Sequence, residues 1–176
     1  MLKCLIWDVD GTLSETEETH RKAFNLTFKQ FGYNWEWSQD KYRDLLEVTG
    51  GVERILFFIK TDLSLDMQNN ITVDKVREMH KAKTINYVNS IKSGSSHLRS
   101  GVQRLITEAK ENDVRLAIAT TTSLINVEML LEYAPNSVDI EWFEVIGSAD
   151  SINKKKPDPE IYLWTLDKLK LRPQDC

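Results

Sequence analysis

The segment that most restricts how this chain can fold is a short apolar run that ends in two acidic residues. Residues 2–7 read Leu-Lys-Cys-Leu-Ile-Trp, and Asp8-Val9-Asp10-Gly11-Thr12 follows directly. A nearly continuous apolar run that stops at turn residues is typical of a strand buried on both faces of a parallel sheet. Because open parallel sheets bind ligands beyond the carboxyl ends of their strands, the sequence predicts a functional site at Asp8 and Asp10.

The rest of the chain contains a helical stretch and then a region where helices and strands alternate. Ser14–Glu17 has the pattern of a capping box, which predicts that a helix begins there with Ser14 as its N-cap. Apolar residues at helical spacing continue to about residue 92, where the linker Ser93–Gly101 interrupts them. Beyond the linker, helix and strand are predicted in turn over 102–112, 114–119, 123–133, 143–146 and 158 to about 169.

This order of elements predicts an α/β protein. We expect a doubly wound, Rossmann-like parallel sheet formed by residues 1–14 and 94–176, with an inserted α-helical domain of residues 15–93. Trp35 and Trp37 lie in the inserted part, where they could form a stacking platform for a sugar, but packing in the core or between helices is favoured.

Composition excludes several classes of protein. Hydrophobic residues make up 41% and charged residues 28%, as in soluble globular chains, and no run approaches the roughly 18 apolar residues of a membrane span. The 23 basic and 27 acidic residues argue against nucleic-acid binding. Cys4 and Cys176 give no disulfide framework. The amino end lacks a secretory signal, so we expect a cytoplasmic protein, or a stromal one whose chloroplast transit peptide has been removed, with no membrane partner.

The acidic pair has two explanations that the residues alone leave open. Two carboxylates so close repel each other unless a cation or a shared proton lies between them. Gly11 permits a tight turn, and the Thr12 hydroxyl can donate to a phosphoryl oxygen. The alternative is a turn that only closes a strand, because acids and glycine are common turn residues.

Two further motifs lie at strand ends in the same order along the chain. The second predicted strand ends at Thr120, and Lys156-Pro157 follows the third. With Asp-x-Asp-Gly-Thr at residues 8–12, these motifs resemble those of the haloacid dehalogenase-like hydrolase superfamily, across essentially the whole chain. The resemblance implies the fold predicted above, with the inserted helices as a cap that closes over the site.

The resemblance also implies a mechanism. In the family, the residue at Asp8 attacks phosphorus and forms an aspartyl phosphate, and the residue at Asp10 is the general acid and then the general base. Thr120 would hold a phosphoryl oxygen, and Lys156 would neutralise negative charge. A magnesium ion is implied, bound by the Asp8 carboxylate and the Asp10 backbone carbonyl. Because a dehalogenase does not need the second acid, Asp10 favours phosphoryl transfer.

Four segments resemble CbbY-type sugar phosphatases more closely, namely Thr16–Phe24, Leu46–Gly51, Ala119–Ser123 and Lys155–Tyr162. In that group the known activity is removal of phosphate from xylulose-1,5-bisphosphate, an inhibitor of Rubisco. Relatives commonly carry lysine after the paired glycines, where this chain has Val52 and so lacks an ammonium for a second phosphate. The substrate-binding residues predicted with this resemblance are Thr12, Glu17, His20, Gly51, Arg54 and Thr121.

Some of these residues also have plain structural explanations. Glu17 and His20 share one helix face, which is either the rim of a site or an ordinary amphipathic edge. Gly51 allows close backbone approach to a ligand and Arg54 offers a planar donor fork for a phosphate, but the same residues suit a turn between helices.

Three functions stay open at this point. They are a magnesium-dependent phosphatase acting on a small phosphorylated sugar, a phosphosugar mutase of the same superfamily, and a non-catalytic remnant that binds a partner or phosphate. Family members continue past the position of Cys176 with a buried strand that ends in two acids, one of them a magnesium ligand. We therefore expect a truncated chain, or one completed by a partner, with residues 2–7 as an exposed strand edge. The sequence leaves the oligomeric state open.

Overall fold

The computed structural model describes residues 2–176, which divide into two compact units. The first unit joins the amino-terminal segment through Glu17 to Ile91–Cys176, and the second unit is Glu18–Ser90. The divisions lie three residues from the boundaries expected at 14/15 and 93/94. The roles of the two units as hydrolase core and cap stay predictions. Among residues 2–176, no helix has both the length and the apolar character that a membrane span requires.

A three-stranded parallel sheet forms the centre of the first unit. Its strands are β1 (Cys4–Trp7), β2 (Arg115–Ala119) and β3 (Phe143–Gly147), in the order β1-β2-β3. Trp7 pairs with Ile118 near the end of β1, and Ala119 pairs with Gly147 at the end of β2. The parallel sheet with its surrounding helices confirms the predicted fold class. Because the strands are parallel, the residues that follow all three lie at one edge of the sheet.

Eight helices accompany the sheet within residues 2–176. Before the linker they are α1 (Glu17–Gln30), α2 (Gln39–Leu45), α3 (Gly51–Asp62), α4 (Leu65–Asn69) and α5 (Val73–Lys92). After the linker they are α6 (Val102–Glu111), α7 (Leu124–Tyr133) and α8 (Glu160–Leu169). Short 3-10 turns lie at Ile140–Trp142, Ala149–Ser151 and Pro173–Asp175. The three helices after the linker begin within two residues of their predicted starts.

The capping box predicted at Ser14–Glu17 is wrong, because its hydroxyls bond elsewhere. The Ser14 hydroxyl donates to the carbonyl of His97 at 2.7 Å, and the Thr16 hydroxyl donates to the Asp10 carboxylate. Helix α1 begins only at Glu17. These hydroxyls therefore fix the path of the chain as it leaves β1, rather than the first turn of a helix.

Strand β1 is less buried than its apolar sequence predicts. Cys4 is fully buried, but Leu5, Ile6 and Trp7 are half-buried, because β1 lies at the edge of the sheet among the described residues. In β2, which lies between two strands, Leu116–Ala119 are all buried. The burial on both faces that a continuous apolar run indicates is therefore found in β2, whereas β1 lies at the edge of the described sheet, as expected for residues 2–7.

Close packing of α8 on the sheet depends on Gly147 at the end of β3. A Cβ at this position would lie 2.7 Å from Thr165 Oγ1 and 2.9 Å from Ile161 Cδ1. Both of these α8 residues are fully buried, so neither can move aside at low cost. Glycine is therefore required where α8 crosses the carboxyl end of β3.

The second unit packs around a cluster of aromatic side chains. Phe28 is fully buried, and its ring centroid lies 4.8 Å from that of Trp37 and 5.3 Å from that of Trp35. Trp37 is fully buried and Trp35 is 9% exposed, which confirms that both pack in the core. Asn25 fixes Trp37, because its amide donates to the Trp37 carbonyl and accepts from the Trp37 N–H, both at 2.9 Å.

A charged contact joins the 3-10 turn at Pro173–Asp175 to the segment before β1. The Asp175 carboxylate lies 3.2 Å from Lys3 Nζ and 3.1 Å from Arg172 Nε. The Lys3 backbone N–H also donates to the Asp175 carbonyl, at 2.7 Å. The hydrogen bond from Arg172, followed by that from Lys3, lowers the pKa of Asp175 from 3.8 to about 2. The ionised carboxylate therefore stabilises the folded state.

We expect Phe28→Ala to lower the free energy of unfolding by about 3–5 kcal/mol, because it removes a fully buried ring and leaves a cavity. Phe57→Ala is the matched control, since Phe57 is 43% exposed, and it should change stability by about 0.5 kcal/mol. Urea unfolding followed by tryptophan fluorescence measures both variants. Equal losses in the two would contradict the packing role of Phe28.

The stabilisation from Asp175 is present above pH 3.8, where the unfolded carboxyl group is ionised, and is lost as the pH falls through about 2. We therefore expect Asp175→Asn to be less stable than the wild type near neutral pH, with the difference disappearing across that acidic window. Asp167→Asn removes an exposed ion pair with Lys170 and should cost less. Urea midpoints over a pH series test this, and a constant difference between Asp175→Asn and the wild type would refute it.

Candidate active site

The turn after β1 is held by hydrogen bonds to a single carbonyl. The backbone N–H groups of Thr12, Leu13 and Ser14 all point to the carbonyl of Val9, at 3.1, 2.9 and 3.3 Å. Gly11 has φ +74°, in the left-handed region that glycine enters without strain. The tight turn predicted at Gly11 is therefore present, and it places Thr12 on the exposed surface of the first unit.

Arg99, in the linker after α5, braces this turn. Its guanidinium donates to the carbonyl of Gly11 and lies 3.1 Å from the Glu15 carboxylate, while its backbone N–H donates to the carbonyl of Leu13 at 2.9 Å. Arg99 is not among the predicted site residues. Its position in the linker gave no signal, because its partners are more than 80 residues away along the chain.

Lys156 is brought directly to Asp8. Its Nζ lies 3.0 Å from the Asp8 carboxylate and donates to the carbonyl of Ala119, also at 3.0 Å. The ammonium also faces the ring of Tyr162, 5.0 Å from its centroid. The side chain of Asp8 is 40% exposed and that of Lys156 is 20% exposed. Two of the predicted catalytic residues therefore meet at the carboxyl edge of the sheet, with the Asp8 carboxylate accessible from outside.

Asp10 and Glu17 lie on either side of the same turn. The Asp10 carboxylate accepts a hydrogen bond from the Thr16 hydroxyl, which is fully buried. Glu17 Oε1 lies 4.0 Å from the place that a Cβ on Gly11 would occupy, so its half-buried side chain is next to the turn. The Thr16 hydroxyl restricts the orientation of the Asp10 carboxylate. This contact was not predicted, because Thr16 was assigned to the capping box.

Thr120 is buried at the end of β2 with its hydroxyl hydrogen available. Its backbone N–H donates to the Gly147 carbonyl at 3.0 Å, and its Oγ1 accepts from the Thr122 N–H at 3.2 Å. Because Oγ1 accepts from the loop, its own O–H is oriented to donate elsewhere. Buried Asn126 donates to the Thr122 hydroxyl at 2.9 Å and so restrains the loop, in which Thr121 is half-buried. The sequence analysis missed Asn126.

In the second unit, His20 is part of a buried polar cluster. Its Nδ1 lies 2.6 Å from Lys83 Nζ, and its ring stacks on that of Tyr87 with centroids 4.1 Å apart. Because a lysine ammonium can only donate, this contact is a hydrogen bond only for the His20 tautomer that has no proton on Nδ1. Lys83 is not among the predicted site residues, although a charged residue on the apolar stripe of Val76 and Met79 was a usable signal.

Arg54 and Gly51 both have structural roles within the second unit. Arg54 donates to the carbonyls of Leu45 and Val48, at 3.0 and 3.2 Å, and to the Tyr42 hydroxyl at 3.1 Å. A guanidinium has five N–H donors, so two remain for a ligand. A Cβ on Gly51 would lie 2.3 Å from Nε2 of the half-buried His80 side chain, so a larger residue here would require the His80 ring to move. A structural role in the turn between helices therefore accounts for most of the contacts of Gly51 and Arg54.

The donors after β1 suit a hard cation. The Asp8 carboxylate and the Asp10 backbone carbonyl are oxygen donors of the kind that magnesium takes in proteins. Within residues 2–176, no three His, Cys, Asp or Glu side chains converge into a metal-binding group.

Comparison with known proteins agrees with this geometry. A family model described as haloacid dehalogenase-like hydrolase matches residues 5–176. Protein CbbY of Rhodobacter capsulatus is 45% identical over 175 residues, which cover 99% of this chain and 75% of that protein. The crystal structure of CbbY from Rhodobacter sphaeroides in complex with phosphate has a TM-score of 0.88 and 42% identity, covering 99% of this chain and 76% of that chain.

A mutant of the same Rhodobacter sphaeroides protein has been solved in complex with xylulose-(1,5)bisphosphate. It has a TM-score of 0.88 and 41% identity, with the same coverage of 99% of this chain and 76% of that chain. The chain thus spans about three quarters of the length of these relatives. The similarity in sequence and in structure confirms the resemblance drawn from the motifs: the chain belongs to the haloacid dehalogenase-like hydrolase family, among the phosphatases related to CbbY.

Proposed function

We propose that the chain removes phosphate from small phosphorylated sugars, in a magnesium-dependent reaction that passes through an aspartyl phosphate on Asp8. The contact of 3.0 Å between Lys156 Nζ and the Asp8 carboxylate carries the proposal. A carboxylate that is paired with an ammonium and is still 40% exposed is available as a nucleophile. The CbbY structures with phosphate and with xylulose-(1,5)bisphosphate support the substrate class.

Asp8 and Asp10 divide the chemistry between them. A carboxylate oxygen of Asp8 attacks phosphorus, the bond from phosphorus to the sugar oxygen breaks, and Asp10 donates a proton to that oxygen. In the second step Asp10 takes a proton from water while the water oxygen attacks phosphorus. This breaks the bond to Asp8 and releases inorganic phosphate. The hydrogen bond from Thr16 keeps the Asp10 carboxylate in one orientation for both proton transfers.

Lys156 and Thr120 stabilise the charge on the transferring group. The Lys156 ammonium reduces repulsion between the Asp8 carboxylate and an incoming phosphate. The Thr120 hydroxyl, whose oxygen already accepts from the Thr122 N–H, donates to a phosphoryl oxygen. Magnesium would be held by the Asp8 carboxylate and the Asp10 carbonyl, and it would supply positive charge to the phosphoryl oxygens.

Substrate selection is proposed for residues of both units. Thr12, Glu17 and Thr121 lie around the turn after β1 and the loop after β2. In the second unit we propose His20, Gly51 and Arg54, where the two free donors of Arg54 suit a second phosphate. Xylulose-1,5-bisphosphate is the specific substrate we propose.

A cytoplasmic or stromal location stays a prediction.

The direct test is a screen of sugar monophosphates and bisphosphates for phosphate release, with magnesium and with EDTA. We expect release only with magnesium, and a loss of about 1,000-fold in kcat for Asp8→Asn, because this variant lacks the nucleophile. Asp167→Asn, an exposed carboxylate on α8, is the matched control. Interconversion of sugar phosphates without release would favour the mutase. Binding of phosphate without either reaction would favour the non-catalytic remnant.

The charge of Lys156 is tested separately. We expect Lys156→Ala to lower kcat by about 100-fold, because it removes the donor that faces the nucleophile. Lys154→Ala should leave kcat unchanged, since Lys154 is exposed and lies 3.8 Å from Asp158. Steady-state kinetics on the best substrate of the screen measure both. The catalytic role of Lys156 is disproved if the two variants behave alike.

A further inference from the structure

We propose that Tyr162 is a positioning residue that holds the Lys156 ammonium against Asp8. The proposal rests on the function proposed above, in which Lys156 neutralises charge at the nucleophile. Nothing in that function assigns a role to Tyr162. Its ring faces the Lys156 ammonium, with 5.0 Å between Nζ and the ring centroid.

Three partners surround the ammonium of Lys156. They are the Asp8 carboxylate at 3.0 Å, the Ala119 carbonyl at 3.0 Å and the face of the Tyr162 ring. A lysine side chain is a flexible stem of four carbons with rotation about each bond. The position of its ammonium is therefore set by the groups that contact it. With only the two oxygens as partners, the ammonium could move away from Asp8 in the direction where the Tyr162 ring now lies. The electron-rich face of the ring attracts the ammonium and blocks that movement, and it does not compete with the ammonium for hydrogen bonds to the Asp8 carboxylate.

The start of α8 fixes where the Tyr162 ring stands relative to Lys156. Both oxygens of the Glu160 carboxylate accept backbone hydrogen bonds, from Asn153 and Lys154, each at 2.9 Å. The Tyr162 backbone N–H donates to the Pro159 carbonyl at 3.0 Å. The loop that carries Lys156 is thereby tied to the first turn of the helix that carries the ring.

Tyr162 does not belong to the buried face of α8. That face consists of Ile161, Thr165 and Leu169, whereas Tyr162 is 42% exposed. Substitution of Tyr162 should therefore leave the packing of α8 on the sheet intact. An effect of a Tyr162 substitution on Lys156 can therefore be distinguished from a general loss of structure.

A second pair of the same kind offers a matched control in the first unit. Lys92 Nζ lies 5.1 Å from the centroid of the Tyr133 ring, and Tyr133 is 40% exposed. The distance from ammonium to ring and the exposure of the tyrosine match those of Lys156 and Tyr162, although Lys92 itself is exposed. Lys92 makes no contact with Asp8 among the described contacts, so loss of the Tyr133 ring should not affect catalysis.

The kinetic test compares Tyr162→Leu, Tyr162→Phe and Tyr133→Leu on the best sugar phosphate of the screen. We expect Tyr162→Leu to lower kcat by about tenfold with little change in KM, because the ring acts on the charge at the nucleophile. Tyr162→Phe restores most of the loss, since it keeps the aromatic face, and Tyr133→Leu has no effect. Equal kcat values for Tyr162→Leu and Tyr133→Leu would overturn the proposal.

A double-mutant cycle asks whether Tyr162 acts through Lys156. In a Lys156→Ala background, Tyr162→Leu should cause no further loss of kcat, because the group it positions is already absent. A tenfold loss that persists without Lys156 would show that Tyr162 acts by another route, and would overturn the proposal.

A readout that needs no activity separates this proposal from the proposed function. Brief acetylation of the full chain, measured by peptide mass spectrometry, reports how accessible each lysine is. We expect acetylation of Lys156 to rise about threefold in Tyr162→Leu and not in Tyr162→Phe, with Lys154 unchanged as the internal reference. Unchanged labelling of Lys156 overturns the positioning role. Increased labelling in a protein that releases no phosphate from any sugar phosphate supports the positioning role and contradicts the proposed function.

Discussion

The parallel pairing of β1, β2 and β3 is the constraint on which the rest of the first unit depends. Because the three strands run in one direction, the residues after each of them reach the same edge, and Lys156 can contact groups that follow β1 and end β2. The Asp8 carboxylate and the Ala119 carbonyl are far apart in sequence, and one ammonium joins them. The parallel direction of the strands brings these residues to one edge, and the proposed chemistry depends on that arrangement as well as on the side chains themselves.

Local patterns in the sequence predicted the fold well for a physical reason. Burial of a strand or of a helix face is recorded in the spacing of apolar residues, so β2, β3 and α6–α8 lie close to their predicted positions. The family resemblance carried by the motifs on those strands then implied that Lys156 neutralises charge at Asp8, and the two side chains are in contact. Apolar spacing alone did not distinguish β1 from β2, because it does not report whether a strand lies inside a sheet or at its edge; the edge position of β1 was expected from the family resemblance.

The partners of polar side chains were the part that the sequence did not reveal. Thr16 bonds to Asp10 instead of capping α1, Arg99 braces the turn at Gly11, and Lys83 lies against His20. Each of these side chains has several possible partners, and only the folded chain selects one. The same selection explains why Arg54, a good candidate for binding phosphate by residue type, spends three of its donors within the second unit. Residue type and spacing locate a site, but hydrogen-bond partners decide what each residue is free to do.

The central claim is that Asp8 carries the phosphoryl group between the two steps of the reaction. The most direct measurement is mass spectrometry of the peptide containing Asp8, after the protein has been mixed with its best sugar phosphate and magnesium and quenched in acid during turnover. The account predicts that this peptide gains the mass of one phosphoryl group on Asp8, and that the gain is absent in Asp8→Asn. Phosphate release during turnover with no modified Asp8 at any quench time would contradict it.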